Sequence, residues 1–337
     1  MLFRSHYQME NNLAVKTFPE RILQRIPIPY WISIILFWSF EPAFDYLYLM
    51  RLPVPEDYLG AHLGMLLFFA AVTITLIYSS HVLWKLFPDL ALIVGDPTDK
   101  FGEWYLARLR NALSGWGPVA SGIIFVVVWE LTVQGIVQSS VTYDEPVLQI
   151  LWIGYLLIGF FILGYGVWSL LWVAMIPHGL LLFNPKVSLN QIAGIGLQAL
   201  GSTYFKIALA NSACFLILIL TVLASPLSGK PEVLAWEVVG ALVIFGFFVI
   251  PQYGVHKIMA AEKKRSLSML SQPIDAAIRQ SLHNPSSENN GRLKELMDLQ
   301  AAIRGMNDWP FNVNTMWQLI SALLIPLLLA VIEIVNK

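Results

Sequence analysis

Apolar residues recur along this chain in runs near the ~20 residues with which an α-helix crosses ~30 Å of hydrocarbon. Seven such runs stand out, at 28–49, 60–81, 116–137, 147–176, 204–225, 233–253 and 315–335. They predict an all-α fold, a polytopic membrane protein with seven transmembrane helices. The fourth run exceeds what the hydrocarbon core needs, so its helix should tilt or project beyond the membrane. Two shorter runs, 82–95 and 192–200, are expected at the membrane interface: Lys85, Pro88 and Asp89 interrupt the first, and the second is too short to cross. Ser188 and Gln191 precede the second with the Ser-x-x-Gln spacing of a helix-capping box.

One long polar segment, 254–314, separates the last two runs. After Pro251, the positions Ile258, Leu267, Leu270, Ile274, Ile278 and Leu282 keep a helical period. The sixth span should therefore continue as a helix outside the membrane, kinked at Pro251 and Pro273. Turn-forming residues from His283 to Gly291 follow, and Leu293, Leu296, Gln300, Ile303 and Met306 form a second stripe. The two stripes predict an αα-hairpin ended by Trp309-Pro310. Such a hairpin either covers one face of the bundle or serves oligomerisation or gating.

Charge sets the expected orientation. With the N-terminus inside, 18 of the 21 Lys and Arg residues fall in cytoplasmic segments, eight of them between Gly254 and Asn314; Arg51, Lys230 and Lys337 fall outside. The positive-inside rule then predicts a cytoplasmic N-terminus and an external C-terminus. On this reading the chain divides into a cytoplasmic N-terminal segment (1–27), a body of six transmembrane helices with their loops (28–253), a cytoplasmic helical hairpin (254–314), and a seventh helix with the external C-terminus (315–337).

Composition narrows the function classes. Hydrophobic residues make up 57% of the chain and charged residues only 13%, with a mean hydropathy of +0.64, which excludes an ordinary soluble domain. A net charge of -1 and scattered basic residues give no field for nucleic acid, so none is expected as a partner. Cys214 is the sole cysteine and sits in an apolar run, leaving no internal disulfide and no cysteine metal cluster. Residues 1–26 carry Arg4, Lys16, Arg21 and Arg25 without a short apolar region ending in a cleavage site, so no signal peptide is expected. The chain lacks an Asn-x-Ser/Thr acceptor, which is compatible with a prokaryotic plasma membrane. The six histidines show no HExxH or short-spaced metal pair, and no phosphate loop or nucleophile elbow occurs; neither an enzyme, a cofactor nor a metal is expected.

Candidate chemistry therefore rests on polar residues inside the apolar runs, where charge is costly and has a partner or a water path. Glu41 and Asp45 lie one helical turn apart in the first run, and Glu130 and Gln134 repeat that spacing in the third. At ~1.5 Å per residue, Glu41 stands about 18 Å and Glu130 about 21 Å from the inner ends of their helices. Glu237 lies ~6 Å from the outer end of the sixth run and Glu333 near the outer end of the seventh, so the acids collect toward the outside. Glu41, Asp45, Glu130, Gln134 and Glu237 are the candidate ion-binding or pathway residues. Lys257, Lys263, Lys264 and Arg265 are candidate contacts to anionic lipid.

Glycines at 60 and 64, and at 154, 159, 164 and 166, suit close helix packing. A pocket lined by Trp129, Trp152, Tyr155, Trp168 and Trp172 is the alternative use of the third and fourth runs. In span count and in the long cytoplasmic extension before the last span, the layout resembles the insect odorant and gustatory receptor channels. Extensions of that kind anchor a tetramer in that family. Its last-span Thr-Tyr and Gln-Phe pairs are not kept at Thr315-Met-Trp317-Gln318, so no residue role is carried over.

The sequence-based expectation is a homo-oligomeric membrane protein that conducts or transports a cation through an acidic external vestibule. The alternative is a nonconducting sensor or scaffold acting through the 254–314 hairpin.

Overall fold

The computed structural model describes residues 15–49, 56–94, 100–134, 146–183, 196–225, 227–228, 230–307 and 309. Of the last apolar run it describes 316–318, 320–322, 324–325, 328 and 331–332, all helical. No strand occurs among the described residues. The capping residues Ser188 and Gln191, the acid Glu333 and Arg4 lie outside them, as does the side chain of Gln134.

A short helix, α1 (Phe18–Leu23), opens the described chain. Thr17 and Glu20 cap it reciprocally, each side chain accepting the other's amide at 3.3 Å. The Thr-x-x-Glu pattern with Pro19 inside the first turn was available in the sequence as a start signal. Helix α2 (Tyr30–Leu49) then follows the first apolar run.

Helix α3 (Glu56–Val94) overturns one expectation, because 82–94 is continuous with the second run and forms no separate piece. The helix passes through Lys85, Pro88 and Asp89 without a break. An internal proline costs about 3 kcal/mol. Leu83, Leu86, Leu90 and Ile93 are all buried on one face, at about 1.5–3 kcal/mol for each such side chain, which outweighs that cost. Their partner is α4 (Lys100–Leu113), an amphipathic helix that buries Phe101, Tyr105, Leu109 and Ala112. That i, i+4, i+8, i+11 spacing is legible in the sequence, but short length and four charged residues hide it from a search for apolar runs.

Helix α5 (Trp116–Trp129) follows the third run and passes into a π-helical turn, Glu130–Gln134. Helix α6 (Pro146–Ala174) matches the fourth run and continues through a short turn into α7 (Ile176–Leu180). Helix α8 (Gly196–Leu223) contains most of the fifth run and also absorbs residues 196–200, expected to be interfacial. The longest element, α9 (Pro231–His283), is one helix of 53 residues containing both Pro251 and Pro273. At ~1.5 Å per residue it is about 80 Å long, far more than a bilayer core needs. Helix α10 (Ser287–Gly305) packs back on α9 and starts at Ser286, whose hydroxyl accepts the Asn289 amide at 3.1 Å. The expected αα-hairpin is thus present.

Among the described residues, five helical stretches are long and apolar enough to cross a membrane: Gly60–Ala91, Lys100–Thr132, Pro146–Phe183, Ala199–Leu223 and Pro231–His283. Tyr30–Leu49 is helical but falls outside this group; Glu41, Pro42 and Asp45 interrupt its apolar character. Large apolar side chains face outward, among them Phe40 on α2, Ile124 on α5 and Leu242 on α9, as lipid contact requires.

Close approach between helices depends on small residues. A Cβ at Gly64 would lie 2.4 Å from Thr221 Oγ1 on α8, and one at Gly164 would lie 2.4 Å from Phe125 Cβ on α5. Ser121 Oγ donates to the Gly164 carbonyl at 3.0 Å in that second contact. At Gly154 and Gly166, by contrast, an added methyl would meet nothing within 4 Å, so the packing expectation holds for part of the glycine set.

Candidate functional site

Helices α2, α3 and α6 bring three ionisable side chains together at the end of the bundle opposite the hairpin. Glu41 and Asp45 project one turn apart from α2, and His62 faces them from the first turns of α3. His62 Nδ1 stands 3.1 and 3.2 Å from the two carboxylate oxygens of Glu41 and 3.5 Å from Oδ2 of Asp45. One ligand-type atom from each residue fits within a 4.8 Å set. All three are enclosed: Glu41 and Asp45 are 3% exposed and His62 is 4% exposed.

Aromatic rings wall the cluster. The Trp152 ring lies 4.2 Å from that of His62, Tyr155 stacks on Trp152 at 6.0 Å, and Trp38 meets Tyr155 edge-on at 5.4 Å. The Tyr155 hydroxyl and Trp152 Nε1 are buried and make no hydrogen bond among the described residues. The hydroxyl also lies within electrostatic reach of Glu41.

Two carboxylates this close, away from water, repel by several kcal/mol at an effective dielectric near 20. Burial adds several kcal/mol per ion. Offsetting that cost takes positive charge beside the carboxylates.

His62 also lines a cavity of about 200 Å³ bounded by α3, α5, α6, α8 and α9. Its wall is mostly apolar, with Glu237, Thr75, Ser79 and Asn211 as polar points. His62 and Ser79, both on the wall, are about 25 Å apart along α3 at ~1.5 Å per residue, so the space follows the helix axis. Buried Glu237, predicted from the sequence, thus shares one cavity with the histidine that contacts Glu41 and Asp45.

The other candidates separate. Glu130 is half-buried and opens the π-helical turn; it does not line the cavity, although its neighbour Trp129 does. Gln134 ends that turn. The turn is tied to α9 through Thr132, whose hydroxyl accepts the Trp236 indole N–H at 3.1 Å. Of the five aromatic residues expected around a pocket, Trp129 and Trp152 line this one. Trp168 and Trp172 stack on each other instead, and Arg108 sits 4.2 Å over the Trp172 ring.

The basic group also divides. Lys263 donates to the Met306 carbonyl at 2.9 Å, closing the base of the hairpin. Lys257 lies 4.7 Å over the Tyr253 ring, Arg265 is 3.9 Å from Glu262, and Lys264 is exposed. Trp309 stacks on His256 at 4.3 Å.

Sequence reasoning singled out Glu41 and Asp45 but missed His62, which is 21 residues away and on another helix. No spacing rule links such a pair. The available signal was a histidine two residues before Gly64 of the small-residue motif, in the first turns of an apolar run. Scans of the chain against protein-family models, curated proteins and solved structures give no match.

Proposed function

We propose that this chain is a multi-pass membrane transport protein in which Glu41, Asp45 and His62 hold the transported or coupling cation. The single observation behind this reading is the burial of two carboxylates and an imidazole within 3.5 Å contacts inside an apolar helical bundle. Intramembrane ionisable groups of this kind mark ion and proton pathways. Their enclosure favours a bound ion over a wide acidic vestibule. The cavity beside His62, with Glu237 on its wall, supplies the space through which the site would exchange.

The accompanying topology is seven spans with the N-terminus in the cytoplasm, the α9–α10 hairpin on the same side, and assembly as a homo-oligomer. In this orientation Lys257, Lys264 and Arg265 meet anionic lipid at about 1 kcal/mol per charge. The test is reconstitution into liposomes loaded with reporters for H⁺, Na⁺, K⁺ and Zn²⁺. Wild-type protein should carry a cation, and Glu41→Gln should reduce the flux at least tenfold. Flux no greater than that of empty liposomes would remove the transport reading.

The sensor or scaffold reading is favoured by a different observation. The hairpin exposes Leu282 at its tip and Met297 midway along α10, and a single helix joins it to the cavity wall. Deletion of 263–306 should then abolish capture of a partner while leaving membrane insertion intact.

A further inference from the structure

We infer that the Glu41–Asp45–His62 cluster is a binding site for a divalent d-block metal ion of the Zn²⁺ type. The inference rests on the cation reading of the same cluster and narrows it to one chemical class.

Geometry is the first argument. Ligand atoms at ~2.0–2.2 Å from a tetrahedral ion stand about 3.3–3.6 Å from one another. His62 Nδ1 is 3.1 and 3.2 Å from the Glu41 oxygens and 3.5 Å from Asp45 Oδ2, close to that edge length. The full set lies within 4.8 Å, so small carboxylate rotations close the remaining edge.

Donor type is the second. Mg²⁺ and Ca²⁺ take oxygen ligands, whereas imidazole nitrogen with carboxylate suits Zn²⁺, Co²⁺ and their neighbours. Charge is the third: two carboxylates and a neutral imidazole are neutralised by one divalent ion, whereas an imidazolium reaches neutrality only if one carboxyl is also protonated.

An observation outside the triad points the same way. The Tyr155 hydroxyl, on a residue 7% exposed and making no hydrogen bond among the described residues, lies within electrostatic reach of Glu41. It is one more buried polar group in the aromatic wall beside the triad. Three protein ligands leave a fourth position open, the arrangement of a site that exchanges rather than a closed structural one.

The experiment uses purified full-length protein in detergent, stripped with chelator and dialysed against Zn²⁺ or Co²⁺ alone. Elemental analysis should find one ion per chain. X-ray absorption of the Zn²⁺-loaded wild type should show one imidazole nitrogen with oxygen ligands. Affinity should fall at least 100-fold in Glu41→Gln and in His62→Gln, and stay unchanged in Glu130→Gln. The absorption spectrum reads the ligands in the unaltered protein, so a misfolded variant does not decide the result. An all-oxygen shell, or no stoichiometric ion in the wild type, overturns the inference. If the wild type binds no Zn²⁺ yet carries H⁺ or Na⁺ in a Glu41-dependent way, the metal assignment fails and the transport reading stands. If one Zn²⁺ binds and no flux occurs, the reverse holds.

Discussion

The two ends of the helical bundle differ in the buried polar groups they hold: mainly hydroxyl and amide donors on backbone carbonyls toward the hairpin, and a cluster of ionisable side chains at the other end. Toward the hairpin, five buried side chains donate to backbone carbonyls of other helices, while the Arg108 Nε, Trp168 and Trp172 N–H groups there make no hydrogen bond among the described residues. Tyr105 donates to Leu83 at 2.6 Å, Tyr204 to Val173 at 2.8 Å, Ser169 to Ala112 at 2.8 Å and Gln252 to Gly201 at 3.0 Å. The Tyr165 hydroxyl likewise bonds the Leu113 carbonyl. These contacts run through a continuous core from Leu83 to Met259. At the opposite end, carboxylates meet a histidine, the Tyr155 and Trp152 donors make no hydrogen bond among the described residues, and a cavity separates the helices. Polar groups of the first kind fasten helices. Those of the second kind are costly to bury unless hydrogen bonds or opposite charge offset the cost.

The largest expected effect separates the two ends by function. Replacing both Glu41 and Asp45 by their amides should cut reconstituted cation flux by more than tenfold. The pair Tyr105→Phe and Tyr204→Phe should leave flux per folded molecule unchanged, and equal losses in both would erase the distinction. Stability sharpens the contrast next. Gly64→Leu forces a side chain into Thr221, and overpacking of this kind costs about 1–3 kcal/mol. A lowered unfolding midpoint in detergent should report it.

Tyr204→Phe alone should cost about 1 kcal/mol, the net worth of one buried hydrogen bond, read from the same unfolding transition. The smallest effect belongs to Glu130→Gln. Lying outside both the cluster and the cavity, this substitution should alter flux less than twofold. A loss comparable to that of Glu41→Gln would move the functional site to the turn that ends α5.

Much of the helical layout was readable from the chain. The first, fourth and sixth apolar runs begin within two residues of the starts of their helices, because a 20-residue apolar run in a bilayer has few alternatives to a helix. The hairpin was readable for a related reason, since its Ile258 to Ile274 and Leu293 to Ile303 stripes keep a helical period across a turn-rich break. Local reading failed at Pro88, where burial of Leu86 and Leu90 against α4 outweighed the proline, and at α4 itself, whose apolar face is only five residues wide. In both places a neighbouring helix decided the outcome.

The site divides along the same line. The sequence by itself determined that Glu41, Asp45, Glu130 and Glu237 lie within apolar runs, and that the first two share a helix face, because hydropathy and the 3.6-residue period are local properties. Only the tertiary structure decided that Glu41 and Asp45 meet His62, that Glu237 joins His62 on one cavity, and that Glu130 stands apart. Those facts depend on how α2, α3, α6 and α9 rotate about their axes when packed. Among the contacts that accompany that packing are Gly64 against Thr221 and Trp38 against Tyr155, which join helices no spacing along the chain connects.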